Sequence, residues 1–483
     1  MSTSCDMTGR KGAGRQLVEL GDFRMRGFLW GFTAAVLSVA LAAPAAADRF
    51  RLADALALAY STNPELEAQR AKVRQADDVV AEARGGWRPS VGTSASYGFE
   101  RAEGVNSKFG FSEGTLNITP LDARATISQP ILTGGQAYAQ VQRAIALVRS
   151  ARADLLNAEQ QILLAATTSY MDVVRDVLLL RVHQDDVSIL VRQREATKTQ
   201  LDAGAATKTD LQEVEVRLAG AQADLAAAQA QLTQSRDNFE RIVGRPPETL
   251  EDSPPLPRLP GTQEQAMALA LRLAPRIQGA QANDKAAQYG IDNAEGALLP
   301  HASIVAQYDY TRNSLASALG AGSQGSALSV LGQISVPLYQ GGADTARIRQ
   351  AKEAKSQSRL SIFDADIATR QVTKDAWGTF HAALTAVGFN ERRVTASLQA
   401  LDGVIQQQHQ GERSILDILN AEQEKLAAQV ALNASRHDMV VTAYQLLAAT
   451  GQLTAKQLAL KVKLYDPNDH YNQTSSSWID FGG

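Results

Sequence analysis

The stretch Ser128-Gln-Pro-Ile-Leu-Thr-Gly-Gly135 recurs as Ser335-Val-Pro-Leu-Tyr-Gln-Gly-Gly342, at an offset of 207 residues. Each copy closes a run of alternating apolar and polar residues and is followed by a long helical pattern. Its two glycines tolerate backbone conformations that other residues avoid. The pair therefore predicts a sharp strand-to-helix turn, and its recurrence predicts that the fold is duplicated.

The duplication extends over almost the whole chain. Asn63-Pro64 corresponds to Ala274-Pro275 at an offset of 211, and Gly204 corresponds to Gly411 at an offset of 207. The four-residue difference falls between residues 90 and 127, where we expect a loop. The expected organisation is a first repeat at 48–244, a proline-rich extended linker at 245–262, a second repeat at 263–451 and a C-terminal tail at 452–483. We expect the polar end of this tail, from Asp466 to Gly483, to be loosely ordered.

Seven-residue periodicity predicts long paired helices. Leu211, Leu218, Leu225, Leu232 and Phe239 are spaced by seven, with mostly small residues at the alternate positions, which favours close coiled-coil contact. At 1.5 Å per residue, the longest helices would reach roughly 100 Å. The expected helices are 137–202, 207–243, 344–410 and 414–450.

Strict alternation predicts four strands, at about 89–100, 121–132, 300–311 and 327–338. One face of the first strand carries Val91, Tyr97 and Phe99, whereas the other carries small or polar residues. About ten residues per strand with aromatic residues near one end is typical of a membrane β-barrel. The alternative is a soluble sheet covered on one face by helices.

The beginning of the chain predicts export. Arg24 and Arg26 precede the apolar run 28–43, and Ala45-Ala46-Ala47 supplies a cleavage site before Asp48. We expect a signal peptide within residues 1–47, with translation starting at Met25. Cys5 is the only cysteine, so the mature chain would have no thiol, and no later apolar run is long enough for a membrane helix. If the protein lies in a membrane, strands must span it.

Several classes of function are disfavoured by composition and motifs. A net charge of −3 gives no basic face for nucleic acid. Gly320 to Gly325 matches the dinucleotide-binding glycine pattern, but a strand follows it instead of a helix, so we interpret it as a loop. The histidines lack the spacing of a zinc site. We therefore expect no enzyme activity, no cofactor and no metal.

Four strands cannot close a barrel, because open edges in hydrocarbon leave backbone groups without hydrogen-bond partners. Two copies would make an eight-stranded barrel filled by side chains, whereas three would leave a lumen. The pattern therefore predicts an oligomer.

The repeat, the two glycine-pair turns and the Gly-x5-Asp segments at 204–210 and 411–417 resemble TolC-type outer-membrane efflux and secretion channels. The resemblance covers about residues 50–455. It implies an α+β membrane protein with a duplicated helix-strand-strand-helix-helix unit, whose homotrimer forms a 12-stranded barrel continued by a coiled-coil tunnel across the periplasm. It also implies docking to a periplasmic adaptor protein and an inner-membrane ABC or RND transporter.

The helix-to-helix turns have an ordinary structural interpretation. Gly204 and Gly411 suit helix C-caps, while Thr207 with Asp210 and Ser414 with Asp417 form capping boxes. The resemblance adds a gate at these tips, where the adaptor would dock. It implies that Arg413 reaches Thr209 and Asp210, and that Asp417 forms an acidic ring. Gln408 and Asn420 stand where the family can have a tyrosine and a second acid, which implies a weaker latch and a milder cation preference.

The resulting hypothesis is the exit duct of a three-part export machine in the outer membrane. The tip sequence 203–210 and the missing lipid-bearing cysteine favour type I protein secretion. Multidrug or small-molecule efflux is the alternative cargo class. A periplasmic coiled-coil adaptor or scaffold is an alternative of another kind, and extraction separates the two, because only a channel requires detergent.

Overall fold

The computed structural model describes residues 50–102, 116–312 and 324–478. The predicted signal peptide lies outside the described residues. Each repeat is expected to have one loop between its strands, and most of both loops, including Gly320, also lies outside the described residues.

The first repeat runs from a pair of short helices through strands into a pair of long helices. Its elements are α1 (Leu52–Thr62), α2 (Pro64–Gly85), β1 (Ser90–Tyr97), β2 (Glu100–Ala102), β3 (Leu116–Ile118), β4 (Leu121–Thr133), α3 (Gln136–Asp202) and α4 (Lys208–Val243). Asn63 caps α2 by accepting hydrogen bonds from the backbone N–H groups of Glu65 and Leu66, and Pro64 occupies its first turn, where a missing N–H has no cost.

The second repeat follows the same order. Its elements are α5 (Gln263–Leu273), α6 (Pro275–Gly296), β5 (His301–Arg312), β6 (Gln324–Ser335), α7 (Ala343–His409) and α8 (Ile415–Ala449). The predicted fold class, a duplicated unit with long helices and four main strands, is confirmed. A further short helix, α9 (Pro467–Thr474), follows the repeat.

The four main strands form one antiparallel sheet in the order β1-β4-β5-β6. The repeats meet in its centre, where β4 pairs with β5. A separate two-stranded ladder of β2 and β3 extends the first strand pair. Within the described part of the chain, β1 and β6 are edge strands.

The long helices α3 and α7 each contain 67 residues, and each folds back into its partner, α4 or α8. The predicted seven-residue rows are largely the buried ones. On α4 the buried positions in these rows are Val214, Leu218, Ala221, Ala228, Leu232, Ser235, Phe239 and Ile242. Among the described helices, none is both long and apolar enough to cross a bilayer.

The largest apolar core lies midway along the long helices, and the linker packs against it. Tyr170 on α3 is fully buried beside Phe239. Its hydroxyl donates to the carbonyl of Phe50 at 2.7 Å and accepts from the backbone N–H of Glu251 at 2.8 Å. Leu250 forms a parallel bridge with Phe50. The proline-rich segment is extended, and these contacts hold it against α3.

Two strand predictions require correction at their ends. β1 ends at Tyr97, and pairing resumes in the same register at Glu100 of β2; the interruption falls where Pro120 accepts from the N–H of Gly98 but has no N–H to donate in return. β6 spans Gln324–Ser335 and not 327–338. The equivalent strand β4 extends beyond Ser128, where it pairs with β5 but no longer with β1. β6 is an edge strand, and within the described chain it has no second neighbour with which to pair beyond Ser335.

The expectation of loose order from Asp466 onward is wrong for the described residues, which extend to 478 and include α9. The backbone N–H of Ala455 donates to Glu159 at 2.7 Å, and that of Tyr465 donates to the hydroxyl of Tyr60 at 3.1 Å. Arg152 binds Asn468 and the carbonyl of Pro467, each at 2.9 Å. Arg84 on α2 donates to the carbonyl of Ser475. The tail is a strap fastened along α1, α2 and α3 by polar contacts, which hydrophobic periodicity does not reveal.

Candidate functional site at the hairpin tips

The first tip is the turn between α3 and α4. Gly204 ends α3 with φ of 75°, a left-handed conformation that glycine adopts without strain. Thr207 then caps α4, because its hydroxyl accepts from the N–H of Asp210 at 3.1 Å, while Asp210 accepts from the N–H of Thr207 at 2.8 Å. Thr209 lies exposed on the first turn of α4.

The second tip repeats this geometry between α7 and α8. Gly411 has φ of 79°, and its N–H binds the carbonyl of Gln408 at 3.0 Å. The Ser414 hydroxyl accepts from the N–H of Asp417 at 3.3 Å, and Asp417 accepts from the N–H of Ser414 at 2.9 Å. Both capping boxes therefore form as the ordinary structural interpretation expects.

The capping geometry keeps both aspartates ionised. Hydrogen bonds from the backbone N–H and the hydroxyl of Thr207 lower the pKa of Asp210. The same two groups of Ser414, assisted by the charge of Arg413, lower the pKa of Asp417. At neutral pH both carboxylates are therefore negatively charged, and that of Asp417 lies beside the positive charge of Arg413.

The predicted contact of Arg413 with Thr209 and Asp210 is not formed within the described chain. Arg413 instead lies along its own hairpin, where it donates to Gln407 at 3.1 Å and lies 3.7 Å from Asp417. The role of Arg413 between neighbouring hairpins remains a prediction.

A residue that the sequence did not single out joins the two hairpins. Arg217 on α4 donates to the side-chain oxygen of Asn420 on α8 at 3.0 Å and to the side-chain oxygen of Gln423. We call these two hydrogen bonds the clamp. Asn420, predicted only to stand where the family can have a second acid, is one of its acceptors. No local pattern reveals the contact, because its partners lie in different repeats.

An apolar cluster holds the clamp in place. Leu218, next to Arg217, and Leu419, next to Asn420, are both buried with Leu190 of α3. Packing of these leucines brings α4 and α8 together one to two turns behind the capping boxes, so the polar side chains on either flank come within hydrogen-bonding distance.

Neither the tips nor the rest of the described chain offers a metal centre. Within residues 50–102, 116–312 and 324–478, no group of three or more His, Cys, Asp or Glu side chains is placed to hold an ion.

Comparison with known proteins gives a consistent relationship. The family model described as outer membrane efflux protein matches residues 55–245 and 266–452. The outer membrane efflux protein BepC of Brucella suis is 33% identical over 428 residues, covering 89% of this chain and 91% of BepC. The proteases secretion protein PrtF of Dickeya chrysanthemi is 28% identical, covering 78% of this chain and 83% of PrtF.

The fold agrees with a solved channel. The CmeC outer membrane channel of Campylobacter jejuni superposes with a TM-score of 0.72 at 15% identity, over 88% of this chain and 89% of CmeC. At that identity the similarity concerns the fold alone. Together with the family match, it confirms the resemblance first drawn from the two glycine-pair turns. The chain belongs to the outer membrane efflux protein family, as an outer-membrane protein of the TolC type whose long helices lie in the periplasm.

Proposed function

We propose that this chain is one subunit of a homotrimeric export duct that carries cargo from a periplasmic adaptor protein through the outer membrane. The observation that carries the proposal is the four-stranded sheet, which ends in the edge strands β1 and β6. Unpaired edges in lipid cost several kcal/mol for each unsatisfied group. Three copies supply twelve strands, enough to close a barrel with an open lumen.

The two faces of the sheet suit this role. In one row of the sheet, Val91, Ile127, Ala306 and Val330 lie side by side and form an apolar surface. In a row of the opposite face, Arg124 pairs with Asp309 at 2.6 Å, and Gln307 also donates to Asp309. The first face suits contact with lipid, and the second suits a water-filled bore.

The hairpin tips would form the end of the duct that opens and closes. An exposed polar link contributes about 0.2–1 kcal/mol, so three symmetric copies of one link contribute about 1–3 kcal/mol. An adaptor that binds the open arrangement more tightly can offset that amount. Asp210 and Asp417 would then line the opening and favour cations.

The cargo we propose is protein, delivered by an ATP-driven inner-membrane transporter in type I secretion. Two features support it: the tip sequence Ala203 to Asp210, and the absence from the expected mature chain of a cysteine that could carry a lipid. The similarity to a protein named for protease secretion adds support.

Export of small molecules is the second candidate. It is favoured by the 33% identity with BepC, which is named as an efflux protein. An RND transporter would then replace the ATP-driven one, while the duct itself would remain the same.

Comparing the culture-supernatant proteins of the host with and without this gene tests the cargo. Loss of one or a few abundant secreted proteins is the expected result, and re-expression of the gene should restore them. An unchanged set of secreted proteins, together with new sensitivity to toxic compounds, would contradict protein secretion and support efflux.

A further inference from the structure

The export duct leaves one cavity of the fold without a role. It lies beside the main apolar core, where the start of α1, the proline-rich linker, α8 and the C-terminal strap meet, and its volume is about 280 Å³. We call it the linker cavity. We propose that it binds a small zwitterion with an apolar side chain, of the α-amino acid class, as a ligand separate from the exported cargo.

Tyr444 on α8 supplies the linker cavity with a polar atom that has no partner. The residue is 6% exposed, and its hydroxyl makes no hydrogen bond within residues 50–102, 116–312 and 324–478. The hydroxyl oxygen is nevertheless reachable by solvent, and since Tyr444 lines the cavity, it opens there. Tyr170, in the same core, bonds to both Phe50 and Glu251. Buried hydroxyls normally have such partners, so the Tyr444 hydroxyl is placed to bind a ligand.

The Tyr444 hydroxyl stays neutral at physiological pH. Burial raises the pKa of Tyr444 to about 12, so the group keeps its proton. A neutral phenol donates one hydrogen bond and also accepts. It therefore suits a carboxylate oxygen of a ligand without adding a charge of its own.

Ala459 gives one wall of the cavity a strained backbone. Its φ is 49°, and among the residues that the structure describes it is the only non-glycine residue with a positive φ. A left-handed conformation is costly for alanine, because its Cβ crowds the following carbonyl oxygen. Such strain persists where the surrounding structure enforces it, as it does around ligand sites. Here the N–H groups of Ala459 and Leu460 bind the carbonyls of Lys456 and Ala455, which hold the turn.

The start of α1 adds donors for a carboxylate. Arg51 at the N-cap makes no capping hydrogen bond with its side chain, and the N–H groups of Leu52 and Ala53 have no partner within the described chain. Both of these residues line the cavity. Free N–H groups and the helix dipole favour a negatively charged group at this end of a helix. Asp54 in the same turn lies 3.5 Å from Arg51, which balances its charge.

Two opposite charges line the cavity without pairing. Glu251 and Lys461 are both part of the lining, and neither has an ion-pair partner in the part of the chain that the structure describes. A simple anion would also meet the carboxylates of Asp54 and Glu251, whereas a simple cation would also meet Arg51 and Lys461. A zwitterion suits both, because its ammonium can donate to Glu251 while its carboxylate binds Lys461 and the start of α1.

The rest of the lining is largely apolar. Pro254 and Pro255 line the cavity from the linker, and Leu458 and Leu460 line it from the strap. These side chains suit an aliphatic group, since burial of apolar surface favours binding. Small-molecule sites usually enclose roughly 300–1,000 Å³, so a cavity of about 280 Å³ admits a single amino acid and not a peptide.

Equilibrium dialysis of the detergent-extracted chain against radiolabelled L-leucine tests the proposal, because leucine combines both charges with an aliphatic side chain. We expect saturable binding. Leucinamide, which lacks the carboxylate, and N-acetyl-leucine, which lacks the ammonium, should each compete about tenfold more weakly than leucine, since each loses a charge-assisted contact. No saturable binding of leucine, or equal competition by all three compounds, would overturn the proposal.

Two substitutions test whether leucine occupies the linker cavity. Tyr444→Phe removes one oxygen atom and keeps the ring, and should weaken binding about fivefold through the lost hydrogen bond. Lys461→Gln should weaken it about tenfold. The matched control is Lys463→Gln, which changes an exposed lysine of the same strap outside the lining and should bind leucine as wild type does.

Thermal midpoints establish that the variants are folded. Lys461 is exposed, so Lys461→Gln keeps the fold and tests the cavity even where Tyr444→Phe does not fold. Wild-type affinity in a folded Tyr444→Phe or in Lys461→Gln would show that leucine binds elsewhere and would overturn the assignment.

Discussion

Arg217 and Asn420 lie 203 residues apart in the chain, yet the guanidinium of Arg217 donates to the side-chain oxygen of Asn420 at 3.0 Å. This contact joins the two hairpins of one subunit just behind their tips. If the tips gate the duct, removing this contact should favour the open arrangement. We expect Arg217→Ala to raise single-channel conductance in planar bilayers.

The control is Arg241→Ala, on the same helix, because Arg241 bonds only to Asn238 one turn away in the described chain. Arg217→Ala and Asn420→Ala should also be non-additive, since each removes the same bond. Conductance equal to wild type in Arg217→Ala would show that the clamp has no part in closure.

Arg413→Ala tests the link between neighbouring subunits. Within the described part of the chain Arg413 contacts only its own hairpin, through Gln407 and Asp417, and its long side chain can turn toward another tip. We expect higher conductance, from a loss of about 0.2–1 kcal/mol per link. An unchanged value would remove Arg413 from the latch.

His437 should make stability depend on pH. Its ring lies 3.0 Å from Asp172 of α3 and 2.9 Å from Asp438, with Arg175 nearby. Burial alone lowers the pKa of His437, but the hydrogen bonds to the two carboxylates outweigh it, so the net shift is upward. Protonated His437 therefore stabilises the fold fully below its ordinary pKa of about 6.5, and this contribution disappears as pH rises through the raised value.

The measurement is the thermal midpoint in detergent from about pH 6 to pH 9, a range that spans the ordinary histidine pKa. The wild-type midpoint should fall more steeply with rising pH than that of His437→Gln. The exposed His409→Gln should keep the wild-type slope. Equal slopes for wild type and His437→Gln would contradict the assignment.

The C-terminal strap should stabilise the helices beneath the sheet. Arg152 holds Asn468 and the carbonyl of Pro467, and lies 3.9 Å from the fully buried Asp77. Hydrogen bonds to charged groups are each worth about 1.5–3 kcal/mol, so Arg152→Met should lower the unfolding free energy by at least that amount. Chemical denaturation measures it, with the exposed Arg149→Met as control. A loss equal to that of the control would show that the strap is not held by Arg152.

Periodic features of the sequence were predictable. Heptad rows such as Leu218 and Leu232 mark the helix contacts, and alternation marks the strands, because both follow from burying one face of a regular element. The capping boxes at Thr207 and Ser414 were also predictable, since their geometry is local.

Contacts between the repeats were not predictable from local pattern. Arg217 and Asn420 meet only because the leucines beside them pack, and the tail is held by arginines on α2 and α3. The end of β6 at Ser335 was missed for a related reason. Alternation continues to Leu338, but a strand also needs a neighbour, and β6 is an edge strand in one chain.

The proposed function requires the chain to form a closed trimeric pore. Detergent-extracted protein should be weighed by native mass spectrometry, and the same preparation should be placed in planar bilayers. We expect a three-copy mass and discrete, cation-preferring conductance steps. A single-copy mass with no conductance across the bilayer, or extraction of the chain from the envelope without detergent, would contradict the trimeric pore.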